Sequence, residues 1–218
     1  MRMLLAIDTA TRTASLALHD GTRVRYEATW EAGRRHTVQL ASRIFAALGD
    51  LNVGSEGLSG VAVATGPGSF TGLRVGMALA KGLAMARNLP LIGVPTLDVV
   101  AVAQGRDRRP LVAVLQAGRG RICVATYRWR NGWQRREGPR LTTWEALVET
   151  VTRPTLFCGE VDERGMELLE GLDDLAEILP PACCLRRAGF LAELAWGRLR
   201  QGETDDPATL TPIYLHGP

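Results

Sequence analysis

Apolar and polar positions follow each other along the chain in a pattern that predicts two similar series of strands and helices. Short apolar runs bounded by turn residues indicate buried strands, and apolar residues at helical spacing indicate amphipathic helices. In the first half these patterns give the order β-β-β-α-β-α-β-α, with a hairpin turn at Asp20-Gly21. The predicted strands span residues 3–7, 14–19, 23–29, 58–64 and 91–94, and the predicted helices span 34–48, 70–87 and 95–104.

After a polar segment at residues 105–110, the second half has the order β-β-β-α-β-α followed by a further helix, which is the same plan. We therefore predict the α/β class, with two ribonuclease-H-like subdomains arranged as in the actin, hexokinase and acetate-kinase (ASKHA) group. Their boundaries are residues 1–105 and 106–218. The last helix and the tail are expected to pack back on the body, because a cluster of Ile213, Tyr214 and Leu215 is costly to expose. The predicted strands span residues 111–115, 121–127, 129–137 and 155–158, and the predicted helices span 142–151, 160–169 and 185–201.

Composition is typical of a globular protein and gives little sign of a charged partner. Hydrophobic residues make up 46% of the 218 residues, which excludes wholesale disorder, and 26 basic against 23 acidic residues leave a net charge of +3. That charge is too small to indicate a nucleic-acid-binding protein by itself. No apolar stretch approaches the ~18 residues of a membrane span. Since Asp8 also interrupts the N-terminal apolar run, we predict a cytoplasmic protein without membrane association.

The sharpest motif is Gly66-Pro67-Gly68-Ser69-Phe70-Thr71-Gly72-Leu73-Arg74, which follows a predicted strand and begins a helix. Free backbone N–H groups at such a position can hold an anion. The motif is not a P-loop, because no Lys-Ser/Thr pair follows Gly72, and its glycine spacing differs from the dinucleotide-binding pattern. We therefore predict that Ser69 caps the helix rather than acting as a nucleophile. The loop and helix start comprise Gly66, Gly68, Ser69 and Thr71.

Candidate catalytic and metal-binding residues are few. Asp8 ends the first strand, where actin-like kinases place an aspartate, but the corresponding position of the second half holds the neutral Gln116, a poor magnesium ligand. His36 has no partner histidine at the spacing of a metalloprotease helix. The cysteines at 123, 158, 183 and 184 match no zinc pattern, and we expect them to be reduced and mostly buried. We accordingly assign no catalytic, cofactor-binding or metal-binding residue.

Five segments of the chain resemble the TsaB family. The resemblance implies a degenerate, non-catalytic ASKHA fold and a role as the dimerisation subunit in bacterial tRNA threonylcarbamoyladenosine (t6A) biosynthesis. It also implies pairing with the paralogue TsaD, which transfers a threonylcarbamoyl group to N6 of adenosine 37 in ANN-decoding tRNAs, and association with the ATPase TsaE. ATP and metal would then belong to the partner subunits, with no cofactor bound by this chain alone. The segments are Leu5–Thr9, His36-Thr37-x-Gln39, Gly66–Arg74, Leu91–Leu97 and Pro212–Leu215.

The resemblance further implies that the first two helices form the partner surface. Apolar residues lie along one stripe of the first helix, and the second helix carries small residues every four positions, beginning at Gly72. We expect these helices to pair with a like pair of helices, in TsaD or, when TsaD is absent, in a second copy of this chain. Close packing on the chain's own sheet is the alternative role for the small residues. The predicted interface residues are His36, Gln39, Leu40, Ile44, Leu48, Leu73, Gly76, Met77, Ala80 and Ala84.

Three alternatives stay open at this point. An active ATP-dependent phosphotransferase would use Asp8 and the Gly66–Gly72 loop, although Gln116 argues against it. A peptidase is suggested by the family's kinship to proteins once called glycoproteases, but the chain shows neither a histidine pair nor an evident Ser/His/Asp order. The arginine runs, which include residues 106–109 and 128–140, leave an auxiliary tRNA contact open, whereas solvated surface charge is their simplest role.

Overall fold

The structure is a computed structural model that describes residues 2–32 and 36–214, without the side chains of residues 36–38 and of Ser55. The chain forms two compact units, one from residues up to Val99 together with Arg186–Tyr214, and one from Val100–Leu185. No helix within the described part is both long and apolar enough to cross a membrane. The strands are β1 (Met3–Asp8), β2 (Thr13–His19), β3 (Val24–Glu31), β4 (Leu58–Gly66), β5 (Leu91–Pro95), β6 (Leu111–Gly118), β7 (Arg121–Trp129), β8 (Trp133–Thr142), β9 (Thr155–Gly159) and β10 (Ala176–Ile178). The helices are α1 (His36–Asp50), α2 (Phe70–Arg87), α3 (Thr96–Val102), α4 (Trp144–Val148), α5 (Glu163–Glu170), α6 (Pro181–Cys184) and α7 (Ala188–Arg200).

The first unit is built around a five-stranded sheet with the order β3-β2-β1-β4-β5. β1 pairs antiparallel with β2 and parallel with β4, so the hairpin strands lie on one side of it and the crossover strands on the other. The predicted turn at Asp20-Gly21 joins β2 to β3, and Gly21 has a φ of +95°, which glycine adopts without strain. This arrangement is the ribonuclease-H-like half predicted from the sequence.

Helices cover both faces of the first sheet. Because side chains alternate along a strand, Leu5 and Ile7 of β1 contribute to the core on the face covered by α1 and α2. Leu4 and Ala6 contribute to the core on the opposite face, which α7 covers. β1 is buried along its whole length, as a central strand between two layers of helices should be.

The second unit repeats the sheet with the order β10-β9-β6-β7-β8. β6 again pairs antiparallel with the following strand, β7, and parallel with the crossover strand, β9. Helices α4 and α5 pack on one face, where Trp144, Leu147 and Leu169 join Val114 and Phe157 in one apolar cluster. The central strand of each unit therefore has the same neighbours in the same directions.

Helix α7 corrects the predicted domain boundaries. Residues 106–218 were predicted to form the second subdomain, but Arg186–Tyr214 belongs to the first compact unit. The physical reason is that Leu191, Ala192 and Ala195 of α7 complete the core on one face of the first sheet. The tail lies there as well, because Ile213 N donates to the Thr65 carbonyl at 2.7 Å, whereas Leu215 is outside the described residues.

Two short elements and two cysteines differ from the prediction. β10 and α6 have three and four residues, too few to show a period in the sequence. All four thiols are free, but only Cys123 and Cys158 are buried, since Cys183 is exposed and Cys184 is half-buried. Burial raises the pKa of Cys123 to about 12, so this thiol stays protonated and unreactive at neutral pH.

Candidate functional site

The turn that follows β1 holds the candidate carboxylate in an ion pair. The Asp8 carboxylate is buried, and Arg186 Nε lies 3.1 Å from its Oδ2. The backbone N–H of Ala10 donates to Asp8 Oδ1 at 2.8 Å. Arg186 Nη2 donates to Thr11 Oγ1 at 2.8 Å and to the Thr13 carbonyl at 2.9 Å. The carboxylate that a phosphotransferase would use is therefore neutralised by a guanidinium of the same chain.

The loop between β4 and α2 packs directly against this turn. The N–H of Ser69 donates to the Ala10 carbonyl at 2.6 Å, so one of the N–H groups that an anion would need is already bonded. Ser69 is also the N-cap of α2, because its Oγ accepts from the N–H of Gly72 at 3.3 Å. Thr9 Oγ1 in turn donates to the Gly72 carbonyl at 2.7 Å. These bonds anchor the start of α2 to the turn after β1.

The glycines of this region allow the turn and the helix to approach each other closely. A Cβ on Gly72 would overlap the Thr9 carbonyl, and a Cβ on Gly76 would overlap Thr9 Oγ1. A Cβ on Gly68 would likewise overlap the Ala10 carbonyl. The small residues of α2 thus serve packing on the chain's own sheet, the alternative that the sequence left open. Gly76, which was predicted to contact a partner helix, is buried inside the first unit.

The predicted interface stripe is wrong for most of its members. A helix that covers a sheet directs its most regular apolar stripe towards the core, so this stripe is buried inside the unit. Gln39 is half-buried, and its Oε1 has no hydrogen-bond partner among the described atoms. The side chain of His36 lies outside the described residues. Residues at most 5% exposed in the core of the first unit are Leu40, Ile44, Leu48, Leu73, Met77, Ala80 and Ala84.

A different apolar surface lies on the solvent side of α1 and α2. Phe45 of α1 is 72% exposed, and Phe70 and Met85 of α2 are 52% and 69% exposed. Between the helices runs a groove of about 510 Å³, which we name the outer groove. Phe45 lies one helical turn beyond a residue that lines it. The outer groove is lined by Leu40, Ala41, Phe70, Thr71, Arg74, Val75, Ala78 and Leu79.

A cluster of aromatic rings around one arginine borders the outer groove. The guanidinium carbon of Arg74 lies 3.7 Å from the ring centroid of Phe70, and Arg74 Nε donates to the hydroxyl of Tyr214 at 3.1 Å. The rings of Phe70 and Tyr214 are 5.1 Å apart. The C-terminal segment therefore contributes to the same surface as α2. Aromatic and arginine side chains are the types that dominate binding energy at protein interfaces.

The corresponding turn of the second unit is organised by Gln116 and Glu160. The N–H of Gln116 donates to Glu160 Oε2 at 3.0 Å, and Gln116 Nε2 donates to the Glu160 carbonyl at 2.9 Å. A carboxylate does lie beside the position where the sequence analysis looked for one, but it follows β9 rather than β6. Within the described residues, no three His, Cys, Asp or Glu side chains converge as a metal-ligand set.

The roles of Arg186 and of the exposed apolar residues were not predicted from the sequence. Arg186 is 178 positions from Asp8, and no local pattern relates the two. Phe45 and Met85 did carry a weak signal, because each is a large apolar residue outside the apolar stripe of its helix. Such residues mark the solvent side of a helix.

Sequence comparisons relate the chain to proteins of tRNA threonylcarbamoyladenosine biosynthesis. The family model described as "TsaD: tRNA N6-adenosine threonylcarbamoyltransferase" matches residues 30–148. The chain is 37% identical to "tRNA threonylcarbamoyladenosine biosynthesis protein TsaB" of Escherichia coli (strain K12), over 97% of this chain and 94% of that protein.

Structural comparisons confirm the predicted ASKHA fold. The solved structure of YeaZ from Pseudomonas aeruginosa matches with a TM-score of 0.80 and 23% identity, over 99% of this chain and all of that one. The ROK hexokinase from Thermus thermophilus matches with a TM-score of 0.52 and 12% identity, over 91% of this chain and 99% of that chain. At these identities the likeness concerns the fold.

Proposed function

Since the chain belongs to the TsaB family and so has a role in t6A biosynthesis, we propose that it acts there as a non-catalytic subunit. In this proposal it pairs with TsaD and recruits TsaE, while TsaD transfers the threonylcarbamoyl group to N6 of adenosine 37 in ANN-decoding tRNAs. The observation that carries the proposal is the outer groove with its exposed apolar rim. TsaD is the partner that the proposal places on it.

The lack of catalysis in this proposal rests on the turn after β1. A phosphotransferase needs a carboxylate that is free to orient a metal ion, and a metal held there would have to displace the guanidinium of Arg186 from Asp8. Removing one partner of a buried ion pair is strongly unfavourable, because the other charge is left without compensation. ATP and metal accordingly belong to the partner subunits in the proposed complex.

The docking role rests on the chemistry of the outer groove. Phe45, Phe70 and Met85 expose large apolar side chains, and burial of such groups drives association. Methionine adapts to the shape of a partner because its chain is flexible and polarisable. Arg74 adds a guanidinium that is already oriented over the Phe70 ring and hydrogen-bonded to Tyr214, so little side-chain entropy remains to be lost on binding. The outer groove thus replaces the buried stripe as the proposed interface.

A second copy of the chain offers the same surface as its own complement. A two-fold pair buries identical patches on both subunits, and the outer groove supplies such a patch. We therefore expect the free chain to form a homodimer through the outer groove. TsaD and a second copy would then compete for one surface.

The test is the variant Ala78→Arg. Ala78 is exposed and lines the outer groove, so its arginine side chain stays solvated in the free chain and the fold is retained. On docking, the guanidinium would be buried without a partner, and we expect at least about a 100-fold loss of TsaD affinity in titration calorimetry. Loss of the homodimer in analytical ultracentrifugation should accompany it.

The matched control is Ala46→Arg. Ala46 is an exposed alanine of α1 that does not line the outer groove, so this variant adds the same charge to a helix surface elsewhere. It should bind TsaD and self-associate like the unmodified chain. If Ala78→Arg binds TsaD as tightly as the control does, the outer groove is not the docking surface.

A further inference from the structure

Although the net charge of the chain is small, basic and acidic residues are distributed unevenly within the second unit. Residues 106–140 contain ten arginines and two carboxylates, whereas residues 141–185 contain ten carboxylates and two arginines. The basic segment includes β7 and β8, and β8 forms one edge of the sheet. The acidic segment includes β9 and β10, and β10 forms the other edge. Charges of opposite sign are therefore concentrated towards opposite edges of one sheet.

The hairpin of β7 and β8 carries most of the basic charge. Residues 121–142 contain six arginines, and Glu137 is the one carboxylate among them. Every residue of β8 from Gln134 to Gly138 is exposed, as is Arg140. The exposed part of β8 thus offers guanidinium groups and polar atoms but no large apolar side chain. A protein interface normally has an apolar centre, which the exposed run Gln134–Gly138 lacks.

Strand register brings several of these arginines together. Arg128 lies opposite Gln134, and cross-strand partners share one face of a sheet. Arg136 Nη2 donates to Gln134 Oε1 at 3.3 Å, which draws its guanidinium to the same place. Arg130 precedes the turn at Asn131-Gly132, next to this pair of strands. The hairpin therefore presents a row of guanidinium groups rather than isolated ones.

These arginines lack the carboxylate partners that other arginines of the unit have. Arg109 forms ion pairs with two carboxylates, and Arg164 does the same. By contrast, no ion pair joins Arg128, Arg136 or Arg140 to a carboxylate in the part of the chain that the structure describes. The same is true of Arg130. Apart from the bond from Arg136 Nη2 to Gln134, their donors remain available for an external anion.

We propose that the β7–β8 hairpin binds the phosphate backbone of tRNA through Arg128, Arg130, Arg136 and Arg140. The planar guanidinium fork matches phosphate oxygens, and a row of such groups matches a polyanion better than a single anion. The choice of tRNA among polyanions rests on the proposed function in t6A biosynthesis. The contact is a backbone contact and gives affinity and orientation without sequence selection.

The test compares two triple variants with the same change in charge. The first is Arg128→Gln, Arg136→Gln and Arg140→Gln, and the control is Arg2→Gln, Arg153→Gln and Arg200→Gln, which alters exposed arginines outside the hairpin. Each full chain is measured with and without TsaD for binding of a tRNA transcript over a series of salt concentrations. A pull-down of TsaD is measured in parallel, so that loss of the proposed TsaD pairing is recognised separately.

We expect the hairpin variant to bind tRNA at least about tenfold more weakly at low salt, with TsaD binding unchanged. Because each lost phosphate contact removes about 0.7–0.9 from the slope of log affinity against log salt, the slope should fall by about 2 to 3. The control should change affinity by less than about twofold. Equal losses in both variants would mean that net charge alone matters, and the proposal would be wrong.

Three further outcomes would also overturn the proposal. A hairpin variant that keeps tRNA binding but loses TsaD would identify a protein interface. A hairpin variant that keeps tRNA binding and self-associates would mean that the arginines serve only to protect the edge strand from pairing. Absence of tRNA binding by the unmodified chain, both free and with TsaD, would exclude the contact altogether.

Discussion

The two units have the same strand order but differ in the surfaces that surround it. In the first unit, α1 and α2 have 15 and 18 residues and leave large apolar side chains exposed on their solvent side. In the second, α4 and α5 have 5 and 8 residues, and the exposed surface of the hairpin is charged. A common framework therefore constrains the core of each unit but not its exterior. We propose that the exterior of the first unit binds a protein partner and that the exterior of the second unit binds RNA.

The turns after the central strands show a second contrast. In the first unit, the buried carboxylate of Asp8 is compensated by a buried guanidinium from Arg186. In the second, Gln116 makes neutral and charge-assisted hydrogen bonds to Glu160, which is only partly buried. The first unit thus has a buried ion pair at the turn after its central strand, and the second unit has the amide of Gln116 at the corresponding turn. This contrast can be tested by mutation.

The largest expected effect is that of Arg186→Met. The substitution leaves Asp8 as an unpaired buried charge, and we expect a loss of about 3–5 kcal/mol in the free energy of unfolding. Urea denaturation monitored by circular dichroism measures this change. The double variant Asp8→Asn with Arg186→Met should recover part of the loss, because no uncompensated charge remains. Equal stability of the single variant and the unmodified chain would contradict the ion pair.

Gln116→Ala is the matching change in the second unit, with a smaller effect. It removes the bond from Gln116 Nε2 to the Glu160 carbonyl, while the backbone bond to the Glu160 carboxylate is kept. We expect a loss of about 1 kcal/mol. An effect as large as that of Arg186→Met would mean that the two turns are equivalent after all.

Two glycines of α2 distinguish its inner side, which packs against the rest of the unit, from its outer side, which faces solvent. Gly76→Ala places a methyl group against Thr9 and should cost about 1–3 kcal/mol of unfolding free energy. Gly82→Ala places the same group where no atom lies within 4 Å, and should stabilise the chain by up to about 1 kcal/mol through helix propensity. Thermal and urea denaturation of both variants measure the sign. The same sign for both would contradict the assignment of inner and outer sides.

The smallest effect concerns an ion pair on the surface of the second unit. Hydrogen bonds from Arg109 lower the pKa of Asp107 to about 2, below the value of the unfolded chain. This contribution to stability is complete above about pH 4 and is lost as the pH falls towards 2. Asp107→Asn should therefore lower stability slightly at pH 6, and the difference should vanish near pH 2.

A pH series of denaturation curves measures the effect of Asp107→Asn. Asp174→Asn is the control, because Asp174 is exposed and forms no ion pair with the described residues. A difference for Asp107→Asn that stays constant from pH 6 to pH 2 would show that the ion pair is not its cause.

Long helices with terminal signals were predictable from the sequence. The prediction of α2 was correct to the residue, because Ser69 caps its start and Asn88 ends it in the left-handed conformation, with Pro90 two residues beyond. The hairpins and the order of strands along the chain were also predictable, because glycine-containing turns mark the ends of the strands. Elements of three or four residues, such as β10, carry no periodic signal and were missed.

The candidate sites were harder to predict, for two physical reasons. Periodicity identifies the apolar stripe of a helix but does not say which body covers it, so Ile44 and Met77 were assigned to a partner although they are buried in the core of the first unit. Long-range ion pairs such as Asp8 with Arg186 depend on the tertiary arrangement of α7, which no spacing in the chain encodes. Exposed apolar residues outside the stripe, such as Phe45, indicate the solvent side of a helix better than the stripe does.

The division of partners between the two units is tested by placing a photo-crosslinking amino acid at Ala78, in the outer groove, or at Arg136, on the hairpin. Each chain is irradiated in the presence of both TsaD and tRNA, and the crosslinked products are identified by mass spectrometry. We expect position 78 to crosslink to TsaD and not to tRNA, and position 136 to crosslink to tRNA and not to TsaD. A crosslink from position 136 to TsaD, with none from position 78, would contradict the division of partners between the two units.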